Sequence, residues 1–444
     1  MKKIFTSLVL LLCFSVALFA DDKVFEKLKQ IPQVRDLEVM MYQPFTKYYI
    51  FNFEQPLDHQ DPSKGTFKQR VLLGHKEVDR PVVVELEGYG IVTWAPNELT
   101  TLFECNQLTI EHRFFKKSVP EGEIPWDCLT LKQSANDQHD IIQALKKALY
   151  TDSKWISTGV SKGGQTAVFH RYFYPEDVDI TVPYVAPFNL KYVDPRLEKF
   201  LNNLGKGRGS FDTMFAGEDV DASHWGVRDF QLLCFQHQKE LSAKLAKLAE
   251  REEYTFNKVG GVERALQLMI LEYPFAFWQW GHSLADIPTL EYADMNKIFK
   301  HLLSVSGPGF FEDKDIRSSY AFFYAALTET GMYDYNIKPF KKYMPNEKSN
   351  RIDFSFAIPE NAPRKAFDEK QMKAICHWLQ TDAEKILFVY GGSDPWYATG
   401  IDLKSNSKCR KYVRGDGCHT CRIKDFDPVS KEDLLETLNS WLEE

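Results

Sequence analysis

One Gly-x-Ser-x-Gly pentad, Gly159-Val160-Ser161-Lys162-Gly163, extended by Gly164, stands between a β-prone run at 154–158 and a helix-compatible run at 165–174. That setting narrows what the chain can fold into. A serine between a strand and a helix sits on a strained turn with its hydroxyl exposed. Flanking glycines are needed where backbones pass too close for a β-carbon. Lacking the strand and the helix, the same letters would describe a Gly/Ser turn without chemistry.

The rest of the chain supplies a sheet for that turn. Residues 48–51 and 67–73 read as antiparallel strands around a polar loop. Further strands are predicted at 81–86, ending in Glu87-Gly88-Tyr89-Gly90, and at 107–111, 155–158 and 180–185. Residues 134–150 place Ile141, Ile142, Leu145 and Leu149 on one helical face. Strands alternating with helices at this spacing predict a mostly parallel, doubly wound sheet.

From about 194 to 378 helical text dominates, as at 239–252 and 262–271, interrupted by aromatic clusters such as 273–280. Residues 338–364, with Pro339, Pro345, Pro359 and Pro363, read as irregular connection. The strand signal returns at 386–390, and an amphipathic helix at 430–442 closes the chain. A helical block between two halves of a sheet is the form a lid takes on a hydrolase core. The predicted division is an α/β-hydrolase core in two parts, 21–193 and 379–444, with an inserted helical cap at 194–378.

Lys2, Lys3, an apolar run from 4 to 19 and Ala20 before Asp21-Asp22 read as an export signal, with cleavage expected after Ala20. The run is of borderline length for a retained anchor, but an acidic, polar sequence follows it at once. No later segment is long and apolar enough to span a bilayer. The formal charge of −7 becomes more negative once two lysines leave with the signal, which argues against nucleic acid as a partner. Cys13 lies in the signal, without the small residue that precedes a lipidated cysteine. Cys105, Cys128, Cys234, Cys376, Cys409, Cys418 and Cys421 remain. In an oxidising compartment up to three pairs can form, with a connectivity that spacing alone does not reveal.

A serine hydroxyl needs an imidazole to take its proton, and the imidazole needs a carboxylate to hold its tautomer. In this fold the chain order is serine, acid, histidine. Asp394 follows the late strand in Gly391-Gly392-Ser393-Asp394-Pro395-Trp396, against the plain alternative of an acid in an ordinary turn. Of 11 histidines only His419 lies beyond it, in a glycine-containing loop before the last helix. His112 and His170 read as core or surface side chains. The oxyanion hole would combine the backbone N–H of Lys162 with one from Gly88 or Tyr89. Cys409, Cys418, His419 and Cys421 are of zinc-ligand type, but one Cys-x-x-Cys with a straggler lacks the two spaced pairs of a structural site. A disulfide fixing the His419 loop is the expected role instead. Neither metal nor cofactor is predicted.

The segments 158–164, 170–179 and 182–187, together with Glu87-Gly88-Tyr89-Gly90, Glu111-His112-Arg113-Phe114-Phe115 and Ser393-Asp394-Pro395-Trp396, resemble the bacterial secreted tripeptidyl and prolyl tri/tetrapeptidyl aminopeptidases. They are more distantly similar to prolyl carboxypeptidase and dipeptidyl peptidase. The resemblance runs from about 45 to 441 and implies an exported, periplasmic or secreted serine exopeptidase. Such an enzyme releases tri- or tetrapeptides from free N-termini, often after proline, with Ser161, Asp394 and His419 at the family's catalytic positions. Cys418 and Cys421 around the histidine depart from the pattern.

An enzyme of that kind holds the substrate ammonium at a fixed distance from the scissile bond, which calls for a carboxylate. Glu87 is the candidate, with pairing to a structural arginine such as Arg113 as the alternative. Phe275, Phe277, Trp278 and Trp280 are candidates for a prolyl pocket wall, or else are lid core. A lipase or carboxylesterase on the same fold is the competing reading, and a catalytically dead binding protein is disfavoured by the complete triad set.

Overall fold

The computed structural model describes residues 22–204, 222–288 and 293–444. The predicted export signal, 1–20, lies outside the described residues. Among them no helix is long and apolar enough to cross a membrane. By the density of its contacts the chain divides into two units. One holds the residues up to Gly159 with Thr166–Thr181; the other holds Val160–Gln165 and Val182–Glu443.

The first unit is built on β1 (Val34–Met40), β2 (Lys47–Pro56), β3 (Thr66–His75), β4 (Val82–Leu86), β5 (Asn106–Ile110) and β6 (Trp155–Val160), with the start of β7 (Ile180–Tyr184). Their order is β1-β2-β3-β5-β4-β6-β7. β2 and β3 are antiparallel, with Phe51 opposite Val71, and β4 runs parallel to both β5 and β6. In β2 the alternation buries both faces. Tyr49, Phe51 and Phe53 point into the main core of the unit, while Tyr48 and Ile50 join Phe45 and Leu72 in a smaller cluster. Helix α1 (Leu131–Ala148) begins three residues before the predicted start, because the Thr130 side chain caps it by accepting from the Gln133 N–H. Ile141, Ile142 and Leu145 on its inner face are fully buried. Each contributes about 2 kcal/mol by leaving water, which outweighs anything helix propensity supplies over this length.

In the second unit the end of β7 is followed by β8 (Leu387–Gly391) and β9 (Arg410–Arg414), all parallel. β9 is absent from the sequence prediction. Its text, Arg410-Lys411-Tyr412-Val413-Arg414, lacks an apolar face, and its side chains are exposed or half-buried. Charges of this kind suit a sheet edge, where they discourage pairing with another chain.

Helix α3 (Val262–Gln279) corrects a predicted boundary, with α2 being Lys162–Phe173. The aromatic run at 273–280 does not interrupt the helix, which continues through Pro274. Proline removes one N–H donor and leaves the carbonyl four residues back unmatched. That carbonyl, Ile270 O, accepts from the buried Gln231 Nε2 at 2.8 Å instead. The last helix, α4 (Pro428–Glu443), buries Leu434 and Leu438. A mostly parallel sheet flanked by helices, with Ser161 on the turn from β6 to α2, is an α/β-hydrolase fold.

Candidate active site

β6 leads directly into Ser161 and α2 begins at the next residue. Ser161 has φ +58°, a left-handed conformation that costs a non-glycine residue about 1–3 kcal/mol. Surrounding bonds hold it there. Its N–H donates to Tyr184 O at 2.9 Å, and its carbonyl accepts from the Gln165 N–H at 3.0 Å. Gln165 Nε2 then donates to Pro187 O at 2.6 Å. The Lys162 N–H opens the helix, where the first N–H groups have no carbonyl one turn back.

Asp394 and His419 lie on two loops that press against each other. A β-carbon on Gly391 would lie 2.2 Å from Cys418 O, and one on Gly392 would lie 2.7 Å from Gly415 O, so only glycine fits at either place. The close approach lets the Gly392 N–H donate to Arg414 O at 2.7 Å and the Ser393 N–H to Gly417 O at 2.8 Å. Asp394 is fully buried. Its Oδ1 accepts from the Trp396 N–H at 3.1 Å, and its Oδ2 meets His419 Nδ1 at 2.6 Å. An ionised carboxylate only accepts, so Nδ1 carries the proton and Nε2 of the neutral ring keeps its lone pair.

The His419 N–H donates to Gln279 O at 2.9 Å, at the end of α3. The Trp280 ring stands edge-on to the imidazole at 5.9 Å. Among the described residues no hydrogen bond joins the Ser161 hydroxyl to His419; such bonds are often long before substrate binds.

The expected disulfide around His419 is not formed, because Cys409, Cys418 and Cys421 are all free thiols, as are the other four described cysteines. Each of the first two has its own neighbour: Cys418 Sγ lies 3.1 Å from Thr420 Oγ1, and Cys409 Sγ donates to Ala383 O at 3.3 Å. The loop is held by its glycines and backbone hydrogen bonds, and no cross-link is required.

Arg113, the arginine named as a structural partner for Glu87, bonds elsewhere. Arg113 is taken by Asp137, through Nε at 2.7 Å and Nη2 at 2.8 Å, and it also donates to the carbonyls of Cys128 and Leu57. Burial pushes the Glu87 carboxyl up to about 8, with the charges of Glu85 and Glu111 adding to the effect. Gly88 is buried and Tyr89 half-buried on the turn after β4, where Tyr89 O accepts from the His112 N–H at 3.1 Å. His170 is fully buried and bonded to Asp177, as a core histidine.

Of the four aromatic candidates, Phe275 and Phe277 are buried in the core of the helical segment. Trp278 is half-buried against that core, and Trp280 is 51% exposed beside His419. Sequence reasoning missed Glu272. It is buried and accepts from the hydroxyls of Tyr333 and Tyr335 at 2.8 and 2.7 Å. A gap of 61 residues separates Glu272 from Tyr333, and nothing in the local pattern of either points to the other.

With an α/β-hydrolase fold and a match over nearly its whole length to a family of serine peptidases, the enzyme is a serine peptidase. The chain belongs to the PS-10 peptidase S37 family, whose profile matches residues 20–424. It is 31% identical over 396 residues to a prolyl tri/tetrapeptidyl aminopeptidase of Streptomyces mobaraensis, covering 88% of this chain and 78% of that protein. Among solved structures it is similar to a proline iminopeptidase of Mycobacterium smegmatis, with 12% identity, 88% of this chain and 99% of that chain covered, and a TM-score of 0.41. An α/β-hydrolase of Novosphingobium aromaticivorans shows 12% identity over 88% of this chain and 98% of its own, with a TM-score of 0.38.

Proposed function

We propose that the protein is an exported serine exopeptidase that releases tri- or tetrapeptides from free peptide N-termini, with a preference for cleavage after proline. Ser161 is the nucleophile, His419 the base and Asp394 the orienting acid. The observation that carries this reading is the 2.6 Å contact between His419 Nδ1 and Asp394 Oδ2, on a chain that also holds Ser161 in a left-handed turn at a helix start.

The chemistry follows from those atoms. Ser161 Oγ attacks the scissile carbonyl carbon while its proton passes to His419 Nε2. The resulting oxyanion is met by the Lys162 N–H, with Gly88 or Tyr89 as the source of a second donor. Collapse breaks the C–N bond, and the imidazolium returns the proton to the leaving amine. Water, deprotonated by the same imidazole, then hydrolyses the acyl-enzyme. Glu87 anchors the substrate ammonium, Trp280 and Trp278 form an apolar wall for substrate, and residues 194–378 serve as the cap.

The test is mass spectrometry of products from a peptide library with free and blocked N-termini side by side. Release of three- or four-residue fragments from free termini only, lost in Ser161→Ala, supports the proposal. Hydrolysis of blocked peptides or simple esters at equal rates would overturn it.

A further inference from the structure

The turn after β4 carries the proposed second oxyanion donor, and its conformation needs a cause. Residues 87–97 form neither helix nor strand, so their main-chain groups must find partners outside a ladder. β4 itself runs beside β6, with Glu85 opposite Thr158. Residues 111–118, after β5, pack on this turn and supply no member of the triad.

Glu111 joins the two segments. It is 1% exposed, and its carboxylate oxygens have separate tasks. Oε2 reaches across to the turn and accepts from the Ile91 N–H at 2.8 Å. Oε1 accepts within its own segment, from the Lys117 N–H and the Ser118 hydroxyl, both at 2.9 Å. Ser118 Oγ in turn accepts from the Arg70 N–H of β3 at 2.9 Å. A carboxylate accepts on both oxygens, whereas an amide of the same shape accepts on one.

Neighbouring residues fix the rest of the turn. The His112 N–H donates to Tyr89 O at 3.1 Å, and Lys116 Nζ donates to Ile91 O at 3.2 Å. Phe114 and Lys116 have φ +68° and +39°, left-handed values that persist only where the surroundings enforce them. The Lys116 stem lies over Gly90, where a β-carbon would come within 2.5 Å of its Cγ and Cδ. Residues 111–116 thus hold Tyr89 by its carbonyl and Ile91 by both its N–H and its carbonyl.

We propose that Glu111 is a positioning residue for the hydrolytic reaction: by holding the Ile91 N–H it fixes residues 88–91 so that the second oxyanion donor is aimed before substrate arrives. Lys116 is the lesser hold, on the carbonyl of the same residue. This rests on the readings of Ser161 as nucleophile and of Gly88 or Tyr89 as donor. An N–H that meets the oxyanion acts in the transition state, so its misplacement slows the chemical step and spares ground-state binding.

The experiment compares wild type with Glu111→Gln, Ser118→Ala and Lys116→Met. Each is measured for kcat and KM on a free peptide, for thermal stability, and for the rate at which a small alkyl fluorophosphonate labels Ser161, read by mass spectrometry. In that labelling Ser161 Oγ bonds to phosphorus, fluoride leaves, and the phosphoryl oxygen stands where the oxyanion would. Outright loss of an oxyanion donor costs about 100- to 1,000-fold, and a displaced one should cost about ten- to a hundredfold. Glu111→Gln keeps one acceptor for N–H groups on two sides. It is expected to lose that much in kcat and in labelling rate, with KM within about threefold. Lys116→Met should lose about three- to tenfold in both rates.

Ser118→Ala separates this role from a merely structural one. It strips the other oxygen of its hydroxyl partner and leaves the Arg70 N–H unmatched. Its melting temperature should therefore fall while the bond to Ile91, kcat and the labelling rate stay. Equal losses of kcat in Ser118→Ala and Glu111→Gln, in step with their melting temperatures, would overturn the proposal. So would a folded Glu111→Gln with unchanged kcat and labelling. If Glu111→Gln does not fold, Lys116→Met decides, and an unchanged labelling rate there overturns the proposal. Wild type that is not labelled at Ser161 would instead remove the nucleophile reading beneath it.

Discussion

The His419 N–H donates to the carbonyl of Gln279 at 2.9 Å, so the loop that carries the imidazole hangs on the end of α3. The attachment is tight. Gly281, just beyond the helix, has φ +72°, and a β-carbon there would lie 3.0 Å from Cys418 Sγ. A side chain at 281 is strained by that φ and crowds Cys418, the neighbour of His419. Gly281→Val is expected to lower kcat by about tenfold or more, although it touches no triad residue. Steady-state kinetics checked against a thermal melt will show this, and unchanged kcat in a folded variant would mean that the loop is not held from α3.

Asp394 accepts from both the Trp396 N–H and His419 Nδ1. Asparagine in its place presents an N–H₂ or a neutral oxygen to the ring and no longer selects the tautomer with a lone pair on Nε2. By the precedent of triad proteases, Asp394→Asn should cost about four orders of magnitude in kcat with the fold intact. Phosphonate labelling of Ser161 should slow in parallel. Residual activity within tenfold of wild type would point to another acid.

As the proposed ammonium anchor, Glu87 would make substrate binding depend on pH. A carboxyl raised to about 8 is neutral below that pH and anionic above it, whereas a peptide N-terminus loses its charge near 8. Attraction between the two is thus strongest in a narrow window around pH 8. KM for free peptides should fall as pH rises toward 8 and climb beyond it. KM for N-acetylated esters should not follow, and Glu87→Gln should flatten the curve. If the free-peptide KM is equally flat in wild type and variant, the ammonium is held elsewhere.

Glu272 bears on stability. Burial raises its carboxyl from 4.5 to about 7, against the lowering effect of the two tyrosine hydroxyls. A group whose folded pKa is raised contributes stability that is complete below its unfolded value and is lost as pH climbs through the folded one. The window here is about pH 4.5 to 7, and the loss is on the order of 3 kcal/mol. Glutamine stays neutral throughout and still offers an acceptor to a tyrosine. Glu272→Gln should therefore gain on wild type between pH 5 and pH 8 in urea melts. A difference that does not change with pH would show that Glu272 ionises as an ordinary surface acid.

Much of the framework was legible along the chain because its signals are local. The alternation through 48–51 and 67–73 is that of β2 and β3, and the apolar stripe of Ile141, Ile142 and Leu145 is that of α1. Where prediction failed, a distant group had intervened. Pro274 should end a helix, but Gln231 takes up the carbonyl it strands. β9 carries no apolar alternation because it lies at an edge. The free thiols around His419 were read as a cross-link because spacing records how near cysteines are in the chain and says nothing of which neighbours each sulfur finds.

By itself the sequence determined the strand–turn–helix setting of Ser161 and the order in which Ser161, Asp394 and His419 follow one another, since turn chemistry and periodicity act over a few residues. Only the tertiary structure decided that His419 meets Asp394 at 2.6 Å and that the Gln279 carbonyl holds the His419 loop. Those are contacts between elements far apart in the chain, set by packing and by the cost of burying charge, and no local pattern encodes them.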